Sequence, residues 1–481
     1  MSSASDELRG RGTAAVLSAG PSRWLAPVLL STTLFLVGTV AVVNVSLGDL
    51  DSELGFTSAS LSWVVNGYLL AYGGMLVFGG RLGDVLGSRT TLLIGLVVFF
   101  TGAAIGSAAS TPGMLIAARV LQGLGAAFAS PAVLGLLSSA YPDARRGVMV
   151  SAWTATTSAG FSLGLVAGGA IEQWLNWRWI FLLSLPVAAV LLVASALVVP
   201  AIDRRRQSLD PLGAVLVTAG TSALVFGLVS AAARDVIAVV SFAGAVLLLA
   251  GFVWRMRTAA EPLVPGALFA SPARLGAFVA AALSGAAITG MLFVLTRFFS
   301  NTLLLSPLSV GAAFLFFSVS AIVGTVAADR SSARWSGRAV GTVGFGVASL
   351  GMVLLTRLGG VDDFDVWIAI AMVLVGLGVG AGQLAANRQA LTTVPGHLAG
   401  AASGMLQTCL QLGAAVGTAL LVWVAEVAPI GAVFGMATAI LVVAMALIAG
   451  TGARSSASGP STGEALTAGH AAGGGAADGR A

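Results

Sequence analysis

Seven polar side chains stand inside long apolar stretches of this sequence: Asn44, Asn66, Arg119, Gln122, Gln383, Gln407 and Gln411. Their types bind rather than react. A guanidinium is always charged, and a carboxamide both donates and accepts hydrogen bonds. Gln407 and Gln411 are four apart, which puts both on one face of a helix. No cluster of Asp, His, Cys or Ser with acid–base spacing accompanies them, which argues against a membrane-embedded enzyme. The single cysteine, Cys409, excludes an intramolecular disulfide. Neither histidine, His397 or His470, falls in an apolar stretch, so no metal or other cofactor is expected. No G-x-x-x-x-G-K-[ST] loop occurs, which argues against ATP-driven work by this chain alone.

Arg119 poses the sharpest question. It lies in "GMLIAARVLQGLGAAFASPAVLGLL" (113–137) and is the one charge between Thr90 and Pro142. Placing such a group in a bilayer costs about 2.5–3.5 kcal/mol on insertion scales, so a partner or a purpose is expected. Either it pairs with neutral dipoles such as Asn44 or Gln122, or an anion arrives with a substrate.

The elements that must position these residues follow from composition. Of 481 residues, 57% are hydrophobic and only 9% charged, against about 25% charged in soluble domains. The chain therefore reads as an all-α polytopic membrane protein. Runs of about 20 apolar residues place spans at 25–48, 59–80, 91–109, 113–138, 147–171, 178–200, 211–231, 235–254, 274–296, 308–328, 338–357, 365–387, 398–424 and 429–450. The first is too long for a signal-peptide core and no small-residue cleavage pattern follows it, so it reads as a retained span.

All basic residues are arginines, and 19 of the 24 fall on one face when the N-terminus is cytoplasmic. The positive-inside rule then puts both termini inside. These arginines sit in short loops between apolar runs, so the net charge of +5 does not imply nucleic-acid binding. The tails, 1–24 and 451–481, are rich in Gly, Ala and Ser and read as disordered. The stretches "GGRLGDVLGSRTTL" (79–92) and "GTVAADRSSARWSGRAVG" (324–341) share a Gly, Asp, Gly, Arg order. As equivalent positions they make spans one to six a repeat of spans nine to fourteen, a common transporter plan. The divisions are then a six-helix bundle at 25–206, an inserted pair at 207–262 and a second bundle at 263–450.

"GRLGDVLGSR" (80–89) resembles the loop signature of the major facilitator superfamily, G-x-L-a-D-r-x-G-r-k, through Gly80, Leu82, Asp84, Gly87 and Arg89; Val85 and Ser88 depart from it. Physically it reads as a tight glycine turn and a latch, with Asp84 held by helix amides and a nearby Arg. "RVLQGLGAAFASP" (119–131) resembles the family's fourth-span signature through Arg119, Gln122, Gly123, Gly125 and Ala126. "GFSLGLVAGG" (160–169) resembles its fifth-span antiporter signature through Gly160, Gly164, Gly168 and Gly169, with Leu165 in place of proline. "WLNWRWIFLLSLP" (174–186) and the connector "EPLVPGALF" (261–269) resemble the fourteen-span drug:proton antiporter branch. The tryptophans also suit an interfacial belt.

That resemblance implies two six-helix bundles with an inserted helix pair, alternating access, and proton-driven export of an antibiotic or drug from a bacterial cell, conferring resistance. The implied partners are a small-molecule substrate, protons and membrane lipid, with a monomer favoured. Arg119, Gln122, Asn44, Asn66, Gln383, Gln407 and Gln411 are the transport-path candidates. Gly80, Asp84, Gly87, Arg89 and the four fifth-span glycines are the gating candidates. One departure matters: the branch often carries an acid in its first span, where this chain has Thr39, and all 19 carboxylates fall in tails, loops or span ends. A central Arg without a central acid favours a neutral or anionic substrate over a cation. A sensor or scaffold without transport is the alternative.

Overall fold

The structure is a computed structural model. It describes residues 22–45, 53–56, 58–141, 143–200, 210–231, 236–332, 334–360, 363–391, 394 and 399–450. Both tails, from which the sequence predicts disorder, lie almost wholly outside the described residues, as do the side chains of Asn44 and Asp84.

Lipid offers no partner for backbone N–H and C=O groups, so the chain satisfies them within helices. Among the described residues fourteen long helices result: α1 Leu25–Val45, α2 Ser58–Leu86, α3 Ser88–Ser107, α4 Pro112–Ser139, α5 Asp143–Trp174, α6 Arg178–Val198, α7 Pro211–Ala231, α8 Val236–Thr258, α9 Pro272–Asn301, α10 Pro307–Ser331, α11 Gly337–Leu355, α12 Val366–Leu391, α13 Ala399–Val427 and α14 Ile430–Gly450. Thirteen are long and apolar enough to cross a membrane. The other, α5, has 32 residues and packs between α1 and α10. Their starts are chemically marked. Thr111, Asp210, Ser271 and Ser306 each precede a proline at the first helical position, and each side chain accepts the amide of the residue three further on.

The helices overrun the apolar stretches. Residues 80–86, which the sequence reading places in a loop, continue α2. Gly87 alone separates α2 from α3, at φ 89°, where a side chain would be strained. Polarity ends a span, but a helix ends only where its backbone is turned.

Helix pairing repeats along the chain. α1 packs on α5 and α6, α2 on α4, and α3 on α4 and α6. Eight helices later α9 packs on α13 and α14, α10 on α12, and α11 on α12 and α14. Two six-helix bundles follow, meeting along two seams, α5 with α10 and α2 with α13. The inserted pair stands apart from the repeat: α8 packs on α7, and α7 lies against both α2 and α13, over the second seam.

Small residues make the contacts, as expected where apolar burial gives helices no preference for one another over lipid. A Cβ on Gly164 would stand 2.3 Å from the carbonyl of Gly38, and one on Gly169 would stand 2.6 Å from that of Pro307. The fifth-span glycines thus serve two faces. Gly160, Gly164 and Gly168 admit α1, and Gly169 admits α10.

Candidate functional site

A cavity of about 310 Å³ opens between the bundles. Its described walls come from α1, α2, α4 and α5 of one bundle and α9, α10, α12 and α13 of the other, the same four positions in each repeat. Among the described residues no Asp, Glu, Arg or His lines it. The walls are apolar, with tyrosine and tryptophan rings, hydroxyls and carboxamides set into them.

Two polar groupings organise the walls. The Tyr72 hydroxyl donates to Ser130 Oγ at 3.1 Å, from α2 to α4. Gln407 and Gln411 of α13 line the cavity beside it, across the α2–α13 seam. The backbones are close here because position 73 is glycine: a Cβ there would lie 2.8 Å from Gln411 Cβ. In the second bundle Gln383 Nε2 donates to Ser284 Oγ at 2.8 Å. Two further lining residues, Trp153 on α5 and Ser318 on α10, carry a buried Nε1 and Oγ with no hydrogen-bond partner among the described residues, unused capacity of a kind that calls for an explanation.

Three of the seven polar residues singled out in the sequence therefore line the cavity: Gln383, Gln407 and Gln411. Arg119 and Gln122 do not. Both are 1% exposed. Arg119 Nε donates to the Val64 carbonyl at 3.1 Å, and Nη1 donates to Gln122 Oε1 at 2.8 Å. Its guanidinium carbon lies 4.5 Å from the centroid of the Tyr68 ring. Tyr68 lines the cavity, so the charge stands behind the wall with neutral dipoles for partners. Asn66 is fully buried, does not line the cavity, and has no hydrogen-bond partner among the described residues.

The tyrosines escaped the sequence reading because an aromatic in a span reads first as packing. A signal was present. The chain has only three tyrosines, and two of them, Tyr68 and Tyr72, are four apart on one helix face with rings 5.8 Å apart.

The gating candidates separate in the same way. Arg89 donates to the Ala196 carbonyl at the end of α6. A Cβ on Gly80 would meet only Pro131 within 4 Å among the described residues, at 3.8 Å. In the second repeat Asp329 pairs with Arg388, joining the ends of α10 and α12. At the opposite face Glu53 pairs with Arg178 and accepts from Trp177 Nε1. Arg178 also reaches the Ala109 carbonyl at 3.3 Å, tying three connections together. The guanidinium and the indole hold the Glu53 carboxyl below its ordinary pKa. Trp177 is 1% exposed, so this tryptophan is a packed anchor; of the neighbouring tryptophans read as a belt, Trp174 and Trp179 are the exposed ones.

Comparison with known proteins agrees with the fold. The family described as Major Facilitator Superfamily matches residues 29–418. The chain is 33% identical to the puromycin resistance protein of Streptomyces alboniger over 420 residues, 85% of this chain and 83% of that one. It is 36% identical to the cephamycin export protein of Amycolatopsis lactamdurans over 417 residues, 83% and 84% of the two chains. Among solved structures, a POT family transporter in complex with a thioalcohol-conjugated peptide superposes with TM-score 0.69 at 16% identity, covering 90% of this chain and 98% of the other. The human organic anion transporter MFSD10 gives 0.63 at 15% identity, covering 89% and 99%.

Proposed function

The chain belongs to the major facilitator superfamily, and on that premise we propose that it exports small uncharged antibiotic-like compounds across a bacterial membrane in exchange for protons. One observation carries the choice of substrate. The cavity between the bundles has no charged side chain among its described lining residues, and the nearby cation is sealed behind Tyr68. The sequence alone left an anionic substrate open because Arg119 lacked a partner. With Val64, Gln122 and Tyr68 as partners, Arg119 no longer calls for one. The relatives described as a puromycin resistance protein and a cephamycin export protein support the direction of transport.

The lining suits such a cargo. Tyr68, Tyr72 and Trp153 offer ring faces, and Gln383, Gln407 and Gln411 offer paired donors and acceptors. Tyr72 of one bundle and Gln411 of the other line the cavity on either side of the close approach at Gly73. A cargo bonded there is held by both bundles, and rocking them about the two seams transfers access from one side to the other.

Proton exchange needs a carboxylate that can shed its charge, and membrane-buried acids are placed for such work. Among the described residues Asp210 and Glu172 are the buried acids. Asp210 stands at the start of α7, a helix that does not line the cavity, whereas Glu172 is on α5, which does. Glu172 is 7% exposed on α5, close to Gly169, where α5 meets α10. We assign the exchanged proton to Glu172. The arginine-rich ends, with both termini, face the cytoplasm in this reading.

Everted vesicles carrying the full chain test it. Uptake of puromycin and of uncharged chloramphenicol is measured with the pH gradient present and then collapsed. Gradient-dependent uptake of the uncharged compound supports the proposal. Uptake confined to the cationic compound, or unchanged when the gradient is collapsed, overturns it.

A further inference from the structure

The connector between α8 and α9, residues 259–271, carries the "EPLVPGALF" motif that the export reading leaves unused. It is well anchored. Arg81, near the end of α2, donates to the Pro262 carbonyl at 2.6 Å. Asp210, 1% exposed at the start of α7, accepts the Leu263 amide at 3.2 Å and Arg255 Nε at 3.0 Å. On the other side Arg274 of α9 donates to the carbonyls of Ala267 and Leu268 at 3.0 and 3.3 Å, and Phe269 meets Phe278 of α9 edge-on. Leu263, Val264 and Leu268 are buried in one apolar cluster with Val77 of α2, Phe278 of α9 and Leu406 of α13.

These contacts run from the first bundle, through the inserted pair, to the second bundle, at the arginine-rich end of the α2–α13 seam. Rocking at that seam moves the end of α2 relative to α9 and α13. A segment fastened to both sides cannot keep all its contacts. The α9 side is held by two hydrogen bonds and a ring pair; the α2 side is held by one hydrogen bond and by the apolar contacts of Val77, Met75 and Phe78 with the cluster. We propose that residues 259–271 are a strap that clasps the bundles at this seam, and that Arg81–Pro262 is the contact that releases when they rock. The inserted pair then has a mechanical role: through Asp210 and Arg255 it braces the strap.

The chain's own cysteine reports on this. Cys409, on α13, packs against the same apolar cluster as the strap. In membranes holding the full chain, the rate at which N-ethylmaleimide labels Cys409 is compared in wild type, Arg81→Gln, Arg81→Lys and Asp210→Asn. A strap that clasps the seam gives slow labelling in wild type and Arg81→Lys, and labelling at least several-fold faster in Arg81→Gln and Asp210→Asn. Equal rates in all four overturn the proposal. If Arg81→Gln fails to reach the membrane, hydrogen exchange of the wild type decides. Leu263 and Leu268 amides exchanging faster than the middle of α9 support a releasing strap; equal protection overturns it. The inference goes beyond the export reading. Both measurements use no cargo, so failure of the strap and failure of export are separately visible.

Discussion

The Arg119 guanidinium lies 4.5 Å from the centroid of the Tyr68 ring, whose side chain lines the cavity. A cation over a ring in a dry site contributes about 2 kcal/mol, and hydrogen bonds to a charged group contribute about 1.5–3 kcal/mol each. Together these offset the insertion cost of the charge without any carboxylate. Arg119 therefore holds α4 to α2 and keeps the Tyr68 ring in the wall.

From that relationship Arg119→Ala is expected to destabilise the protein. It leaves Gln122 Oε1 buried without its donor, at about 1–3 kcal/mol, and removes the side-chain bond that ties α4 to the Val64 carbonyl of α2. Tyr68→Phe keeps the ring and is expected to melt near wild type. Thermal unfolding followed by size-exclusion chromatography in detergent separates the two. A fully stable Arg119→Ala that no longer transports would return Arg119 to the path itself.

Gln407→Leu and Gln411→Leu are expected to raise KM for an exported compound about tenfold each, the equivalent of roughly one lost hydrogen bond. Their melting temperatures should stay close to wild type, since both side chains face the cavity. Vesicle kinetics give the split between KM and maximal rate. A pure loss of rate would argue that these amides move the bundles rather than bind cargo.

Glu172→Gln is expected to uncouple transport from the proton gradient. Counterflow exchange of labelled for unlabelled compound should persist, because the cavity is untouched, while gradient-driven accumulation falls to background. Accumulation at the wild-type level would remove Glu172 from the coupling.

Asp210 gives a pH signature. Burial works against its charge, but the Gly213 amide, Arg255 and the Leu263 amide together hold its carboxyl below the ordinary range. A carboxyl depressed in the folded state stabilises fully above its unfolded pKa of about 3.9 and loses that contribution as pH falls through the folded value. The melting gap between wild type and Asp210→Asn should thus stay constant from about pH 8 to pH 5 and close only below about pH 4. Melts across that range check it; a gap that closes between pH 7 and pH 5 would mean the carboxyl is not held down.

Composition and run length by themselves determined that this chain is a polytopic membrane protein of long apolar helices, of which thirteen among the described residues are long and apolar enough to cross a membrane. Lipid forces the backbone into helices wherever about 20 apolar residues run on, whatever their neighbours. The positions of Gln407 and Gln411 on one helix face were also legible, since a spacing of four is a local property. What tertiary structure decided is where each face points. Asn66, Gln122 and Gln383 look alike as lone amides in apolar runs, yet only Gln383 reaches the cavity. The orientation of a helix about its axis is set by the small residues its neighbours present, such as Gly73 against Gln411 and Gly169 against Pro307. The counter-partner of Arg119 was likewise beyond reach of the sequence. Gln122 lies one turn away and could be guessed, but Val64 and Tyr68 come from another helix, brought there by packing that no local spacing encodes.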